Sequence, residues 1–280
     1  MPSSTLENRG FIAVGGEDAE DFLQGIITTD VPSIGTGEAY SGALLTPQGK
    51  IMFEFMVTRS AEGFLIETAE DSADALAKRL TLYRLRAKVS ISRPAGTSVT
   101  VLWGETPPPD ASRDMRFARA GIDLYRQHGT SAGTTISAYT SLRIANGISG
   151  GAEDGEATDY FPHDLMMDRN GGLNFRKGCY VGQEVVSRMQ HRSTARRRLV
   201  TVTSETSLPA PGTAITTAGK EIGALRTIEG RAGLAVIRID KAGEAMASGT
   251  PIMAGEQAVT LALPAWSGIE FPSSADEAAS

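Results

Sequence analysis

The chain has 280 residues, of which 41% are hydrophobic and 21% charged. That balance belongs to a globular protein of two or three domains and excludes a fibrous or disordered chain. A net charge of -6 excludes a strongly basic nucleic-acid binder, and a single cysteine, Cys179, excludes both an intramolecular disulfide and a cysteine-built metal centre within one chain. No apolar run approaches the ~18 residues that span a bilayer, and the start of the chain lacks the apolar segment of a secretory signal. A cytoplasmic protein without membrane contact is therefore expected.

In chain order, residues 11–14 form a short β-type run closed by Gly15 and Gly16. Glu17, Asp18 and Glu20 open a helix through Phe22, Leu23 and Ile26, with acidic residues at the positive end of its dipole. Residues 43–45 and 51–57 read as strands joined by the turn Pro47-Gln48-Gly49. Residues 64–66 form another strand. Residues 71–88 form a helix with Leu76, Leu80 and Tyr83 on one face and Asp71 or Ser72 as N-cap. A strand over 97–103 precedes a Pro-stiffened connection over 105–114, and the Gly-rich, acidic stretch 147–159 reads as a mobile loop. Beyond residue 198 only short strands follow, over 199–202, 214–216, 223–227, 233–239 and 259–263, the pattern of a small antiparallel barrel. The expected class is α+β: a mixed region over 1–195 made of two interleaved subdomains, a C-terminal antiparallel β-barrel over 196–270 and a disordered tail over 271–280.

The chemically informative stretch is Lys177-Gly178-Cys179-Tyr180-Val181-Gly182-Gln183-Glu184, followed by Val185-Val186-Ser187-Arg188. Glycines at 178 and 182 predict a tight backbone path before a helix with Val185 and Val186 inward. Cys179 then lies just ahead of a helix N-terminus and beside Arg176 and Lys177, and all three features favour thiolate over thiol. A thiolate attacks electrophiles, ligates metals or forms mixed disulfides, and Tyr180 offers an aromatic face. The alternative is a Cys179 that is simply a small buried hydrophobe.

This octapeptide resembles the signature of the YgfZ-type folate-binding proteins, bacterial relatives of mitochondrial iron–sulfur assembly factors. The resemblance covers nearly the whole chain. Phe22-Leu23-Gln24-Gly25 with Thr29 and Asp30, the turn Leu44-Leu45-Thr46-Pro47-Gln48-Gly49-Lys50, and Asn170-Gly171-Gly172-Leu173-Asn174-Phe175 resemble further family segments. The wider superfamily includes the aminomethyltransferase of the glycine cleavage system. The resemblance thus implies a ring of α+β domains with a terminal barrel and a central pocket for tetrahydrofolate or a derivative. It also implies a role as an accessory protein in iron–sulfur cluster assembly or repair, serving cluster-dependent tRNA-modifying enzymes, and leaves open whether the chain catalyses a reaction. Its partners would be folate, iron–sulfur assembly components and client enzymes. Cys179 would be the reactive thiol, kept ionised by Lys177 and Arg176, with Gln183 and Glu184 fixing the turn through hydrogen bonds. Two departures stand out. The transferases' Asp pair is reduced to one carboxylate, Glu54, and the Arg-x-Glu-x-Gly segment reads Arg143-Ile144-Ala145-Asn146-Gly147, with Asp164 the nearby carboxylate expected to replace the missing Glu.

Arg188, His191, Arg192, Arg196, Arg197 and Arg198 form a basic cluster. Arg188 and Arg197 are candidates for the carboxylates of folate, residues 192–198 for weak contact with RNA phosphates, and the plain alternative is a solvated linker. Arg188 also stands one helical turn from Glu184. His128, His163 and His191 show no metal-ligand spacing, so no metal site is expected. Two further functions stay open: a folate-dependent aminomethyl or one-carbon transferase using Glu54, and an RNA- or protein-binding module.

Overall fold

The computed structural model describes residues 2–96, 98–104, 106–129, 136–154, 159–192 and 195–272. The first part of the chain runs β1 (Ser3–Glu7), β2 (Arg9–Gly15), α1 (Ala19–Gln24), β3 (Glu38–Leu45), β4 (Ile51–Ser60), β5 (Gly63–Ala69), α2 (Glu70–Arg84), β6 (Ser90–Ser92), β7 (Ser98–Trp103), β8 (Ser112–Asp114), α3 (Met115–Arg119) and β9 (Leu124–His128). Its strands make one sheet in the order β1-β7-β9-β8-β3-β4-β5-β2-β6. Every pairing is antiparallel except β3 with β8. The two subdomains expected over this region are thus fused by a shared sheet. Ile12, Val14, Leu44, Val57, Phe64 and Ile66 alternate inward and bury against Leu23 of α1 and Leu76 and Leu80 of α2, the burial such patterns demand. Helix α2 has no side-chain cap: Ala69 holds the N-cap position, so neither Asp71 nor Ser72 plays the part expected of it.

Helices α4 (Ile136–Asn146), α5 (Met167–Asn170) and α6 (Gln183–His191) link the sheet to the second unit. That unit comprises β10 (Arg197–Thr203), β11 (Ala214–Thr217), β12 (Lys220–Glu229), β13 (Ala232–Arg238), α7 (Ile239–Ser248), β14 (Ile252–Ala254), β15 (Gln257–Ala258) and β16 (Thr260–Ala262). Its strands curl in the order β15-β14-β11-β12-β13-β10-β16, a nearly closed antiparallel barrel in which α7 interrupts the run of strands. Phe271 packs against the barrel core, and residues 273–280 of the expected tail lie outside the described residues. Among the described residues no helix is long and apolar enough to cross a membrane.

A third core joins the two units. Leu45 and Ile51 of the sheet, Tyr180, Val186 of α6, and Leu199, Leu234 and Val236 of the barrel are buried together. Two glycines position this junction. The β3–β4 turn carries Gly49 at φ 79°, and Gly182 precedes α6 at φ 80°. A Cβ on Gly182 would lie 2.5 Å from the Thr46 carbonyl and 3.2 Å from the Gly49 Cα. The two backbones touch where no side chain fits.

G182A should therefore lower stability by more than about 2 kcal/mol, combining backbone strain with a clash against a carbonyl. G178A, at φ 97° but with open space around the added methyl, should cost only about 1–2 kcal/mol. Urea unfolding midpoints of the two variants measure the difference.

Candidate functional site

The Cys179 segment leaves the Leu173–Phe175 region and returns to the sheet before α6. Cys179 is a free, exposed thiol, so the buried alternative does not hold. The turn is closed by the backbone: the Gln183 amide donates to the Tyr180 carbonyl at 3.3 Å. Gln183 and Glu184 do not fix it as expected. Glu184 is exposed and accepts from Arg188 at 2.7 Å, an i,i+4 surface pair worth a few tenths of a kcal/mol. Arg188 thus makes the helical-turn pair with Glu184 that the spacing predicts.

Lys177 also departs from its expected role. Its Nζ donates to the Ile27 carbonyl at 2.7 Å and sits 5.3 Å from the centre of the Tyr180 ring. Gln24 donates to the Lys177 carbonyl at 2.9 Å. Burial lowers the Lys177 ammonium to about 8, with Asp30 pulling the other way. The lysine thus ties the cysteine loop to α1 and covers the Tyr180 face. Tyr180 is buried, its hydroxyl has no partner among the described residues, and burial pushes that hydroxyl up. The backbone amide of Arg176 is taken by the Asn174 side chain at 2.7 Å.

Glu54 stands elsewhere, on β4, three residues beyond the strand's first residue, Ile51, which is about 10 Å of strand. It lines a cleft with Arg9, Arg116, Arg126, Gly150 and Gly151. A run of ion pairs backs this cleft. Glu67 accepts from Arg9 at 2.8 Å and from Arg126 at 2.5 Å. Asp114 accepts from Arg126 at 3.3 Å and from Arg116 at 2.6 Å. All five side chains are buried. Burial alone would raise the Glu67 carboxyl, but Arg126 and Arg9 outweigh it and hold it at about 2. Three guanidinia here meet two carboxylates, so Glu54 is the third acid of the group. Its Oε2 is buried without a hydrogen-bond partner. Burial raises its carboxyl to about 7, helped by Asp154 and opposed by Arg116, Arg226 and Arg9. It can hold or release a proton near neutrality.

Asp154 is the site residue that sequence reasoning missed. The stretch read as a mobile loop is instead buried through Gly151 and Asp154, because Asp154 closes an ion pair with Arg143 at 2.9 Å, accepts the Gly150 amide at 2.6 Å and accepts from Thr227 of the barrel. Burial opposes its ionisation, yet Arg143, Thr227 and Gly150 hold its carboxyl below the ordinary value. Residues 155–158 lie outside the described residues. Asp154, not Asp164, partners Arg143. Ala145 is exposed on α4 while Arg143 is buried, so a carboxylate at 145 would face solvent in this chain.

Asp164 belongs to the domain junction. It accepts from Arg197 of β10 at 2.7 Å, and burial still raises its carboxyl to about 6 against that guanidinium. Arg198 points to the opposite face of the strand, donating to Asp168 at 2.7 Å and to the His163 carbonyl at 2.8 Å. The basic run is thus split by strand alternation: Arg197 and Arg198 clamp the barrel, while Arg192 and Arg196 are exposed. Neither Asp164, Arg188 nor Arg197 lines the Glu54 cleft. Among the described residues no group of three or more His, Cys, Asp or Glu is placed to hold a metal ion.

The raised Glu54 carboxyl has a thermodynamic consequence. The folded chain binds this proton more tightly than the unfolded chain, so stability falls as pH rises from the unfolded value near 4.5 through about 7. The window is worth at most about 3 kcal/mol. E54Q should therefore be stabilised relative to the parent at pH 8 and lose that advantage by pH 5. Chemical denaturation at the two pH values checks it; an advantage independent of pH would contradict the assignment.

A family model described as CAF17, C-terminal beta-barrel domain, matches residues 196–269. The mitochondrial iron–sulfur cluster assembly factor IBA57 of Mus musculus is 30% identical over 273 residues, covering 83% of this chain and 76% of its own. The mitochondrial factor of Homo sapiens is 28% identical over 277 residues, covering 84% and 77%. The glycine cleavage system aminomethyltransferase T from Bartonella henselae shares the fold, with a TM-score of 0.72 over 94% of this chain and 86% of its own at 18% identity. The mitochondrial location of the mouse and human factors overturns the expectation of a cytoplasmic protein. With an aminomethyltransferase fold closed by this barrel, and 30% identity to an assembly factor across most of both chains, the chain belongs to the YgfZ/IBA57 family of aminomethyltransferase-like proteins.

Proposed function

We propose that this protein is an accessory factor of iron–sulfur cluster assembly or repair that binds a tetrahydrofolate derivative and supports cluster-dependent tRNA-modifying enzymes. The names of the relatives support the first part. The observation that carries the reading is the exposure of the chain's single thiol on a loop locked to the sheet by Gly49, Gly182 and Lys177. A cluster is held by about four thiolates, so Cys179 supplies one ligand in a transient complex and the assembly partner supplies the rest. Cys179 loses its proton to become that ligand.

The folate part of the reading rests on Glu54. A buried carboxyl with an unpartnered oxygen is what a ligand bearing paired N–H groups would satisfy, and the donor set of the cleft suits a pteridine. The cleft has about 10 Å³ of room, that of a single water molecule. A ring would enter only as Gly150 and Gly151 give way over Glu54. The folate, when bound, supplies one-carbon or redox chemistry; Glu54 orients it and holds a proton at Oε2. The same carboxyl near neutrality, beside Asp154, favours the one-carbon transferase as a second reading.

C179A should abolish cluster transfer to an acceptor enzyme while leaving folding and tetrahydrofolate affinity intact. E54Q should weaken tetrahydrofolate binding about tenfold, the loss of one charged hydrogen bond, with thiol alkylation unchanged. Full cluster transfer by C179A would remove the accessory reading. Methylene transfer abolished by E54Q but not by C179A would establish the transferase.

A further inference from the structure

A second cleft lies between the α5–α6 region and the barrel and shares no residue with the Glu54 cleft. Its volume is about 210 Å³, and Arg169, Gln190, Arg196, Arg198, Ile239 and Asp240 contribute to its walls. Arg198 is 6% exposed. Its Nη1 is held by His163 and Asp168. Its Nε is buried without a hydrogen-bond partner among the described residues. Arg169 is half-exposed and only brushes Asp168 at 3.4 Å. Arg196 is exposed and makes no side-chain hydrogen bond among the described residues. Its own carbonyl is capped by the Ile239 amide at 2.9 Å, which fixes the backbone from which its guanidinium reaches the cleft.

The carboxylates nearby do not cancel this charge. Asp240 is taken by the Arg238 fork at 3.1 and 2.5 Å, and Asp168 by Arg198. Three guanidinia of the walls, Arg169, Arg196 and Arg198, thus stand against Asp168 once Asp240 is taken by Arg238 from outside the cleft, which leaves two positive charges in excess. Helix dipoles do not decide the matter, because α7 presents its N-terminal end to the cleft and α6 its C-terminal end. The guanidinia do. Planar forks match the oxygens of phosphate in bidentate fashion, and an excess of two charges matches a dianion.

We propose that this cleft is a binding site for a small phosphate dianion, free or as a phosphomonoester. Its volume lies below the ~300–1,000 Å³ of sites for drug-sized ligands, which suits a phosphate group. A polynucleotide needs a track of successive cations, and strand alternation has turned Arg197 away to Asp164. The site does not depend on the folate reading.

Isothermal titration of the full chain with inorganic phosphate, and separately with glycerol 3-phosphate, at matched low ionic strength tests it. Saturable binding is expected, weakened about tenfold or more in R169Q and in R196Q, which change exposed side chains, as expected for loss of a charged hydrogen bond. Tighter binding of the ester would assign the monoester as the source; equal binding would assign free phosphate. Absence of saturable binding, or unchanged binding in the R169Q/R196Q double variant, would overturn the proposal. Displacement of phosphate by tetrahydrofolate would overturn it too, by making the cleft part of the folate site. Binding of single-stranded RNA with no competition from phosphate would overturn it in favour of a nucleic-acid surface.

Discussion

The structure depends on a contact made possible by two absent side chains. Gly182 and Gly49 bring the cysteine loop and the β3–β4 turn together at backbone distance. Everything near the thiol follows from that approach. Tyr180 and Val186 fall into the core that also holds Leu45, Ile51 and the barrel residues Leu199 and Leu234, and Lys177 is drawn inward to the Ile27 carbonyl. What remains outside is Cys179. Its exposure follows from that packing, since Lys177 and Tyr180 on either side of the Gly178–Cys179 pair are turned inward while Gly178 is exposed with it.

The strand that begins just after this turn carries Glu54 ahead of its buried run Phe55–Thr58. Strand β4 is therefore a rigid spacer between a solvent-facing thiol and a buried acid, and the two ends have different physics. One end is governed by steric fit. The other is governed by burial and charge: desolvation raises the Glu54 carboxyl to about 7 against the pull of Arg116, Arg226 and Arg9. The barrel is attached to this frame by Arg197 to Asp164, Arg198 to Asp168, and Thr227 to Asp154, so both its first strand and β12 are tied to the linking segment.

Much of this was legible in the sequence where periodicity or local turn chemistry sets the structure. The core face of α2, the Pro47-Gln48-Gly49 turn, the helix after Gly182 and most barrel strands are of that kind. Helices α4 and α7 were missed. Tyr139 and Arg143 of α4 are both buried, a mixed pair without an apolar stripe, and α7 is rich in small residues, with Gly243 placed where any Cβ would strike the Pro272 carbonyl. The glycine spacing in the octapeptide was visible, yet the direction of Lys177 was not, because its acceptor, Ile27, lies 150 residues away. Asp154 was hidden in a Gly-rich acidic run that looks solvated until its partner Arg143 is known. Adjacent arginines at 197 and 198 read as one patch in one dimension and become two opposed clamps once they lie on a strand.

The Arg9, Glu67 and Arg126 trio joins residues from β2, β5 and β9, and Glu67 is the one acid serving both cations. Loss of that acid removes the carboxylate shared by Arg9 and Arg126 and leaves Arg126 with Asp114, and loss of either cation leaves the acid with half its neutralisation. Because Asp114 also serves Arg126, an apolar replacement at these three positions reaches beyond the trio to the Asp114–Arg116 pair, and substitutions here couple instead of adding.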